Sequence, residues 1–256
     1  MKTLRSPARS DDIHFLMRTA CRSAMRSTAC RSAVADLRRR STLAAPCEAA
    51  IFDLATIRAE IATEHAHRSG GTPPGYEEPS ASWLWLDKEL SSNMAGETGA
   101  VYIYEGAKTA LQLRGDAAAA TLAFVEEHRE TEQSHLELFE QLIPPHKHTR
   151  LLPAWRAAGF ALGFAPALVS DRALFLTVEA VETFVEEHYG EQIGPLRASG
   201  RCPQLLELLE HCCADEVHHK EDAGARAGDA PGVVGRTWMV VVRIGSAVAA
   251  EIARRV

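Results

Sequence analysis

The chain carries two copies of one arrangement of glutamate and histidine residues that is suited to binding metal ions. In each copy a single glutamate is followed, 34 or 35 residues later, by a Glu-x-x-His pair. The six positions are Glu97, Glu132, His135, Glu182, Glu216 and His219. Residues three apart on a helix lie on the same face, so each pair would present a carboxylate and an imidazole together. Four such helices would bring together the ligand set of a carboxylate-bridged di-iron or di-manganese site.

The surroundings of these glutamates indicate burial, and buried carboxylates need a cation. Glu97 and Glu182 both lie among small and apolar residues. Burying an unpaired carboxylate costs several kcal/mol, whereas two divalent ions would neutralise all four charges. Oxygen ligands with a minority of imidazole favour iron or manganese. We expect Glu132 and Glu216 to bridge the two ions, because each shares a helical turn with a histidine, and Glu97 and Glu182 to be terminal ligands.

Four other residues bear on this assignment. Glu64 and His67 also match Glu-x-x-His, but no glutamate precedes them at the required distance, so we expect them on an exposed polar helix face. Glu179 lies close to Glu182 on a helical wheel and is the nearest competitor for its role. Asp215, next to Glu216, is a candidate acceptor that would fix the tautomer of a ligand histidine.

The charge of the chain is distributed unevenly. The net charge is −6, yet residues 1–45 carry ten basic side chains against three acidic ones. This Arg- and Ser-rich composition is typical of a mitochondrial or plastid transit peptide, and the alternative is a basic tail on a protein that stays where it is made. The remainder carries 18 basic and 31 acidic residues, which argues against a nucleic acid partner.

The pattern of apolar residues and helix breakers predicts a single all-α domain at 82–256. Residues 46–81 are rich in Gly and Pro and are interpreted as a linker, with a short helix at about 48–64. The four long helices that carry the six glutamate and histidine positions are expected to form a bundle, accompanied by two additional apolar or amphipathic helices. The predicted helices lie at about 82–113, 117–142, 151–169, 171–193, 203–224 and 234–255.

The composition of the two additional helices indicates contact with a membrane. The segment 151–169 is long enough to span a bilayer, but prolines and Arg156 interrupt it. The last helix has an apolar body and carries Arg236, Arg243 and Arg254, which a helical wheel places on one face. This combination predicts a helix lying on an anionic membrane, and the alternative is a core-packing helix whose arginines face water.

Several segments, in order along 84–256, resemble the demethoxyubiquinone hydroxylases, the di-iron monooxygenases of ubiquinone biosynthesis. These segments are 95–100, 132–139, 157–163, 181–189 and 215–219. The resemblance implies a ferritin-like four-helix bundle in which the six positions hold two iron ions. The chain departs from the family pattern at Met94, where the family has a histidine that is not one of the six ligands.

The same resemblance implies the reaction and its participants. With O2 as co-substrate and NADH as the candidate reductant, one oxygen atom would enter the ring of a polyprenyl benzoquinol. Beside this resemblance, His188 and Tyr189 follow Glu182 by about two helical turns, a position from which they could hydrogen-bond the ring or relay protons. The alternative is ordinary helix packing or a place on the surface. The expected location is peripheral, on the matrix side of the mitochondrial inner membrane, with a plastid or bacterial membrane as the alternative. A lipid-binding accessory protein of the ubiquinone-synthesis complex and a second copy of the chain are candidate partners.

Other functions use similar ligands. A ferritin-like ferroxidase or iron-binding protein shares the six positions, and so does a different di-iron quinol oxidoreductase. The chain has no Cys-x-x-Cys pair, which argues against a rubrerythrin-type peroxidase. A soluble iron-storage protein would not need two apolar helices, whereas an enzyme that acts on a lipid would. The apolar helices therefore favour a lipid substrate.

Overall fold

The computed structural model describes residues 52–69 and 85–255, and these residues form α-helices, two short 3-10 turns and no strand. The all-α prediction is confirmed. The predicted transit segment, 1–45, lies outside the described residues, as does part of the predicted linker. The helices are α1 (Leu54–Ser69), α2 (Trp85–Arg114), α3 (Ala119–Leu142), α4 (Leu152–Val169), α5 (Asp171–Ser199), α6 (Pro203–Ala227) and α7 (Val233–Ala253).

The four helices α2, α3, α5 and α6 form the bundle that carries the candidate ligands. Helix α2 packs against α3, and α5 packs against α6. At one end their buried faces meet in a core that includes Tyr104, Phe124 and Phe175. The hydroxyl of Ser170 accepts a hydrogen bond from the amide of Ala173 and begins α5. These contacts place the middle of all four helices side by side.

Helix α5 is longer than predicted. The Gly-Pro pair at 194–195 was expected to end it at about 193, but α5 continues through Pro195 to Ser199. Proline removes one hydrogen bond to the carbonyl four residues earlier, here Glu191. Glu191 and Pro195 are both exposed, so water can solvate that carbonyl. On the opposite face Leu196 is buried and holds the last turn against the bundle.

Helix α1 lies within the predicted linker but packs against the bundle. It begins six residues later than the predicted start at 48 and ends at Ser69. Ile57 and Ile61 are fully buried. Glu64 is also buried and accepts two hydrogen bonds from Arg201. The prediction of an exposed face was therefore wrong for Glu64, although His67 is exposed as predicted.

Charged side chains of α1 bind the ends of two bundle helices. Both oxygens of Glu60 accept from the amide of Gln204, and one also accepts from the amide of Leu205, at the beginning of α6. Arg58 donates to the carbonyl of Leu142 at the end of α3. A carboxylate at a helix amino end and a guanidinium at a carboxyl end match the unpaired backbone groups and the helix dipoles.

Helix α4 packs closely against α2 outside the bundle. A Cβ on Gly159 would lie 2.3 Å from the carbonyl oxygen of Gly99, and a Cβ on Gly163 would lie 1.8 Å from that of Ile103. Glycine is therefore required at both positions, because a side chain would collide with the α2 backbone.

Helices α4 and α7 are mostly exposed and apolar. Both have the length and hydropathy of a membrane-crossing segment, and less than a quarter of each is buried. In the described part of the chain, every exposed large hydrophobic side chain except Leu113 belongs to these two helices. They are Phe160, Leu168, Val169, Val233, Val234, Trp238, Val240, Val241, Ile244, Val248 and Ile252.

The arginines of the last helix do not form the free stripe that the sequence suggested. Arg243 pairs with Glu187 at 2.7 Å, and Arg254 pairs with Glu89 at 2.9 Å, whereas Arg236 is exposed. A helical wheel cannot show this, because the acidic partners come from α5 and α2. The face that α7 leaves uncovered is apolar.

Candidate metal centre

The structure brings the six predicted residues together at the centre of the bundle. Helix α2 contributes Glu97, α3 contributes Glu132 and His135, α5 contributes Glu182, and α6 contributes Glu216 and His219. All six are at most 4% exposed. Their ligand atoms form two groups, within each of which they lie no more than 4.8 Å apart. We call these residues the six-residue cluster.

The two groups share two carboxylates. One group adds Glu97 and His135, and the other adds Glu182 and His219. The shared residues are Glu132 and Glu216. This is the arrangement expected if these two glutamates bridge a pair of ions while the other residues are terminal ligands. Glu179, the competitor for the role of Glu182, belongs to neither group and is partly exposed.

The imidazoles direct the same ring atom towards the carboxylates. The Nδ1 atom of His135 lies 3.2 Å from Oε1 of Glu216. The Nδ1 atom of His219 lies 2.9 Å from Oε1 of Glu132 and 3.4 Å from Oε2 of Glu216. Nδ1 is therefore the atom that each histidine would offer to a metal ion.

The residues present fit a pair of cations. Among the described residues, none forms a hydrogen bond of acceptable geometry with either oxygen of Glu132 or Glu216, although all four oxygens are buried. Burial, and then the charge of Glu216, raises the pKa of Glu97 and Glu182 well above the usual value. Crowded carboxylates of this kind are stabilised by divalent ions, and an oxygen-rich set with two imidazoles suits iron or manganese.

A carboxylate outside the cluster orients His135. The Nε2 atom of His135 lies 3.2 Å from Oδ2 of Asp215, as the sequence suggested for Asp215. If Nε2–H donates to this carboxylate, Nδ1 is left unprotonated and available to an ion. Removal of such a partner typically lowers metal affinity about 10- to 100-fold.

His219 is held by a residue that sequence reasoning missed. The ring of His128 packs edge to face against His219, with centroids 4.3 Å apart. His128 is 1% exposed, and its Nε2 lies 3.0 Å from Oδ2 of Asp222. The sequence could have indicated His128, because His128, Glu132 and His135 are spaced by four and three residues. This spacing places all three on one face of α3.

His188 and Tyr189 both lie near the cluster but contact different groups. Tyr189 is buried, and its hydroxyl donates a 2.6 Å hydrogen bond to Oε1 of Glu97. His188 instead lies between Arg254 and Ser92, at 3.0 Å and 3.3 Å. Tyr189 therefore acts directly on a candidate ligand, whereas His188 belongs to a neighbouring polar group.

An apolar cavity of about 540 Å³ leads to the cluster. Its walls come from α2, α4, α5 and α7, and include Trp155, Leu162, Val185 and Val241. It reaches the carboxylates of the cluster and also His188 and Tyr189. A Cβ on Gly96, which lines the cavity beside Glu97, would meet no atom within 4 Å. The cavity therefore offers an apolar molecule room next to the candidate metal site.

Comparison with known proteins identifies relatives that are named as hydroxylases of demethoxyubiquinone or demethoxyubiquinol. The Dictyostelium discoideum protein named NADPH-dependent 3-demethoxyubiquinone 3-hydroxylase, mitochondrial, is 33% identical over 137 residues, which cover 52% of this chain and 61% of the relative. The Rhodospirillum rubrum 3-demethoxyubiquinol 3-hydroxylase is 31% identical over 150 residues, which cover 58% and 66%. The Saccharomyces cerevisiae 5-demethoxyubiquinone hydroxylase, mitochondrial, is 30% identical over 183 residues, which cover 65% and 77%.

The matched part of the chain thus spans less than two thirds of the length of the first two relatives. The name of the Dictyostelium relative specifies NADPH, whereas the resemblance implied NADH for this chain. The family described as Ubiquinone biosynthesis protein COQ7 matches residues 85–253, a range that contains all six residues of the cluster. The predicted family resemblance is confirmed, and the chain belongs to the COQ7 family of ubiquinone biosynthesis proteins.

Proposed function

We propose that this chain is a di-iron, O2-dependent monooxygenase that hydroxylates the ring of a polyprenylated demethoxy-benzoquinol in ubiquinone biosynthesis. The observation that carries this proposal is the apolar cavity that ends at the six-residue cluster. The names of the relatives support the substrate class. An apolar cavity beside a redox-capable metal site suits a lipid-soluble ring.

The reaction balances with one external reductant. A ring C–H bond breaks and a C–O bond forms, while the second oxygen atom of O2 leaves as water after taking up two electrons and two protons. Two iron ions, when bound, would supply the redox chemistry that activates O2. A reduced nicotinamide is the proposed electron source, and NADH and NADPH are both to be tested.

The residues of the cluster would hold the two ions in unequal surroundings. Glu132 and Glu216 would contact both ions, since each belongs to both groups. The ion near Glu97 would have a histidine ligand that is bonded to Asp215. The hydrogen bond from Tyr189 would keep Glu97 in one orientation, and both residues line the cavity in which we place the ring.

The substrate would enter from a membrane. The cavity is lined by α4 and α7, whose outer faces expose large apolar side chains. We therefore propose peripheral attachment through these two faces, which would let a polyprenyl chain remain in the bilayer while its ring reaches the metal site. This attachment rests on apolar contact and not on a stripe of free arginines.

The proposed location is the matrix side of the mitochondrial inner membrane. The basic segment at 1–45 supports import, and the Dictyostelium and yeast relatives are named mitochondrial. Fusion of residues 1–50 to a fluorescent reporter tests import: a mitochondrial signal is expected, and a plastid or cytosolic signal would contradict it.

An oxygen-18 experiment tests the proposed reaction. The purified chain is loaded with iron(II), reduced, and given a short-chain demethoxy-benzoquinol under labelled O2. The expected product carries one labelled oxygen on the ring, and the Glu216→Ala variant forms none. Glu179→Ala, whose side chain lies outside the cluster, is the control and should remain active. Iron oxidation without any ring product would instead favour the ferroxidase alternative.

A further inference from the structure

The polar end of the cavity contains a directional chain of hydrogen bonds. His188 is 6% exposed and lines the cavity together with Ser92 and Ala250. Its Nδ1 atom lies 3.0 Å from Nη2 of Arg254, and its Nε2 atom lies 3.3 Å from Oγ of Ser92. The hydroxyl of Ser92 is also 3.3 Å from the carbonyl oxygen of Ala250.

The chemistry of arginine sets the direction of every bond in this chain. A guanidinium has donors and no acceptor, so Nδ1 of His188 must accept from Arg254. In a neutral imidazole the other nitrogen then carries the hydrogen. Nε2–H therefore donates to Ser92, and the hydroxyl hydrogen of Ser92 is left to donate to Ala250.

Arg254 is itself fixed by acidic residues from three elements. Nε and Nη2 donate to Oε2 of Glu89 on α2, at 3.1 and 2.9 Å. Nη1 donates to Glu251 of α7 at 3.3 Å, and Glu191 of α5 lies 3.7 Å away. Glu89 is 7% exposed, so this is a largely buried charged pair. Such a site holds the guanidinium in one orientation.

We propose that Arg254 is a positioning residue, which holds His188 in one orientation and in the neutral tautomer that carries its hydrogen on Nε2. The proposal rests on the proposed function, because the cavity is taken as the site of the ring. Arg254 acts through His188 and does not itself line the cavity. The charge that it carries is compensated by Glu89.

This assignment distinguishes between the two roles expected for His188. Burial, and then the charge of Arg254, lowers the pKa of His188 to about 3. The charged groups that face the ring are Glu89 from α2, Glu191 from its own helix, and Arg254 and Glu251 from the end of α7. His188 therefore serves as a neutral hydrogen-bonding group and does not pass a proton as an imidazolium. An uncharged polar end suits a ring with hydroxyl or carbonyl oxygens.

Nitrogen-15 NMR of histidine tests the tautomer without any need for activity. The full chain is labelled and loaded with a diamagnetic divalent ion. The signals of His188 are identified as those that are absent from the spectrum of the His188→Gln variant. A protonated Nε2 and an unprotonated Nδ1 are expected, unchanged from pH 5 to 8. A protonated Nδ1, or titration of the ring in this range, would overturn the proposal even if the oxygen-18 experiment succeeds.

Variants then test the role of Arg254. Arg254→Met should allow both tautomers, because His188 and Ser92 at the cavity wall would no longer be held in one arrangement. KM for the quinol should rise about tenfold, which is equivalent to about 1.4 kcal/mol. Arg254→Lys keeps a charged donor and should restore part of the single-tautomer signal. Arg255→Met is the control, because Arg255 is exposed and pairs with Glu251. An unaltered tautomer in Arg254→Met, or an equal effect of Arg255→Met, would contradict the assignment.

Discussion

The hydroxyl of Tyr189 donates a 2.6 Å hydrogen bond to Oε1 of Glu97, which joins the cavity wall to a candidate metal ligand. Both residues are buried, at 1% and 4% exposure, so water cannot replace this bond at low cost. The Tyr189→Phe variant removes the donor and little else. Since a bond to a charged group contributes about 1.5–3 kcal/mol, kcat/KM should fall roughly 10- to 100-fold.

The metal content of Tyr189→Phe separates this effect from simple loss of the site. We expect two iron ions per chain, the number that we also propose for the wild type, when both proteins are measured by inductively coupled plasma mass spectrometry. Loss of iron together with activity would show that the phenol is needed for binding the ions and not for orienting Glu97.

The sharing of Glu132 and Glu216 between the two groups predicts unequal effects of removing ligands. Glu216→Ala should abolish binding of both ions, because each group loses a carboxylate. Glu182→Ala should weaken one ion selectively and leave about one ion per chain. Counting bound iron after gel filtration checks both results, with Glu179→Ala as the control. Two ions retained in Glu182→Ala, together with loss in Glu179→Ala, would assign the ligand role to Glu179.

The stability of the fold should depend on pH through His188. Its pKa is lowered by burial and by Arg254 from 6.5 to about 3, so between these values the unfolded chain binds a proton that the folded chain does not. The free energy of unfolding should therefore fall as the pH falls below about 6.5, by at most about 1.4 kcal/mol per pH unit.

Comparison with His188→Gln isolates this contribution, since Gln cannot titrate. Urea unfolding at pH 7 and pH 5 should show that the wild type loses about 2 kcal/mol more than the variant. Equal losses in the two proteins would mean that His188 becomes protonated in the folded state.

The apolar outer face of α7 should mediate membrane binding. Val240 and Ile244 are 53% and 60% exposed and neither lines the cavity, so charged substitutions there disturb neither the core nor the substrate site. Val240→Asp and Ile244→Asp should each weaken flotation with liposomes at least tenfold, because a charge is disfavoured in an apolar environment, by about 2.5–3.5 kcal/mol at the centre of a bilayer. Leu113→Asp is the matched control, since Leu113 is 71% exposed but lies on α2. Flotation that survives both α7 substitutions would contradict attachment through α7.

The cluster could be located from the sequence because its ligand pairs are formed by residues close together in the chain. A Glu-x-x-His pair presents two ligands from a single helical turn, and the repeated spacing relates the two halves of the bundle. The same reasoning located the helices, because apolar periodicity and breakers act over a few residues. Pro195 was misjudged, since the cost of a helical proline depends on whether its side of the helix faces solvent, which the sequence does not state.

The polar groups around the cluster depend on contacts between distant segments. The pairing of Arg254 with Glu89 joins residues 165 positions apart, and a helical wheel of α7 alone placed that arginine towards a membrane. Likewise, the burial of Glu64 depends on Arg201, 137 positions away. His128 carries a local signal, but its contact with Asp222 arises only from the packing of α3 against α6.

Quinone profiling in a strain that lacks its own demethoxyubiquinone hydroxylase tests the central claim most directly. The full chain should restore ubiquinone and remove accumulated demethoxyubiquinone, whereas the Glu216→Ala variant, expressed at the same level, should do neither. Ubiquinone that remains absent, with demethoxyubiquinone still accumulating beside iron-loaded and correctly located wild-type protein, would contradict the account.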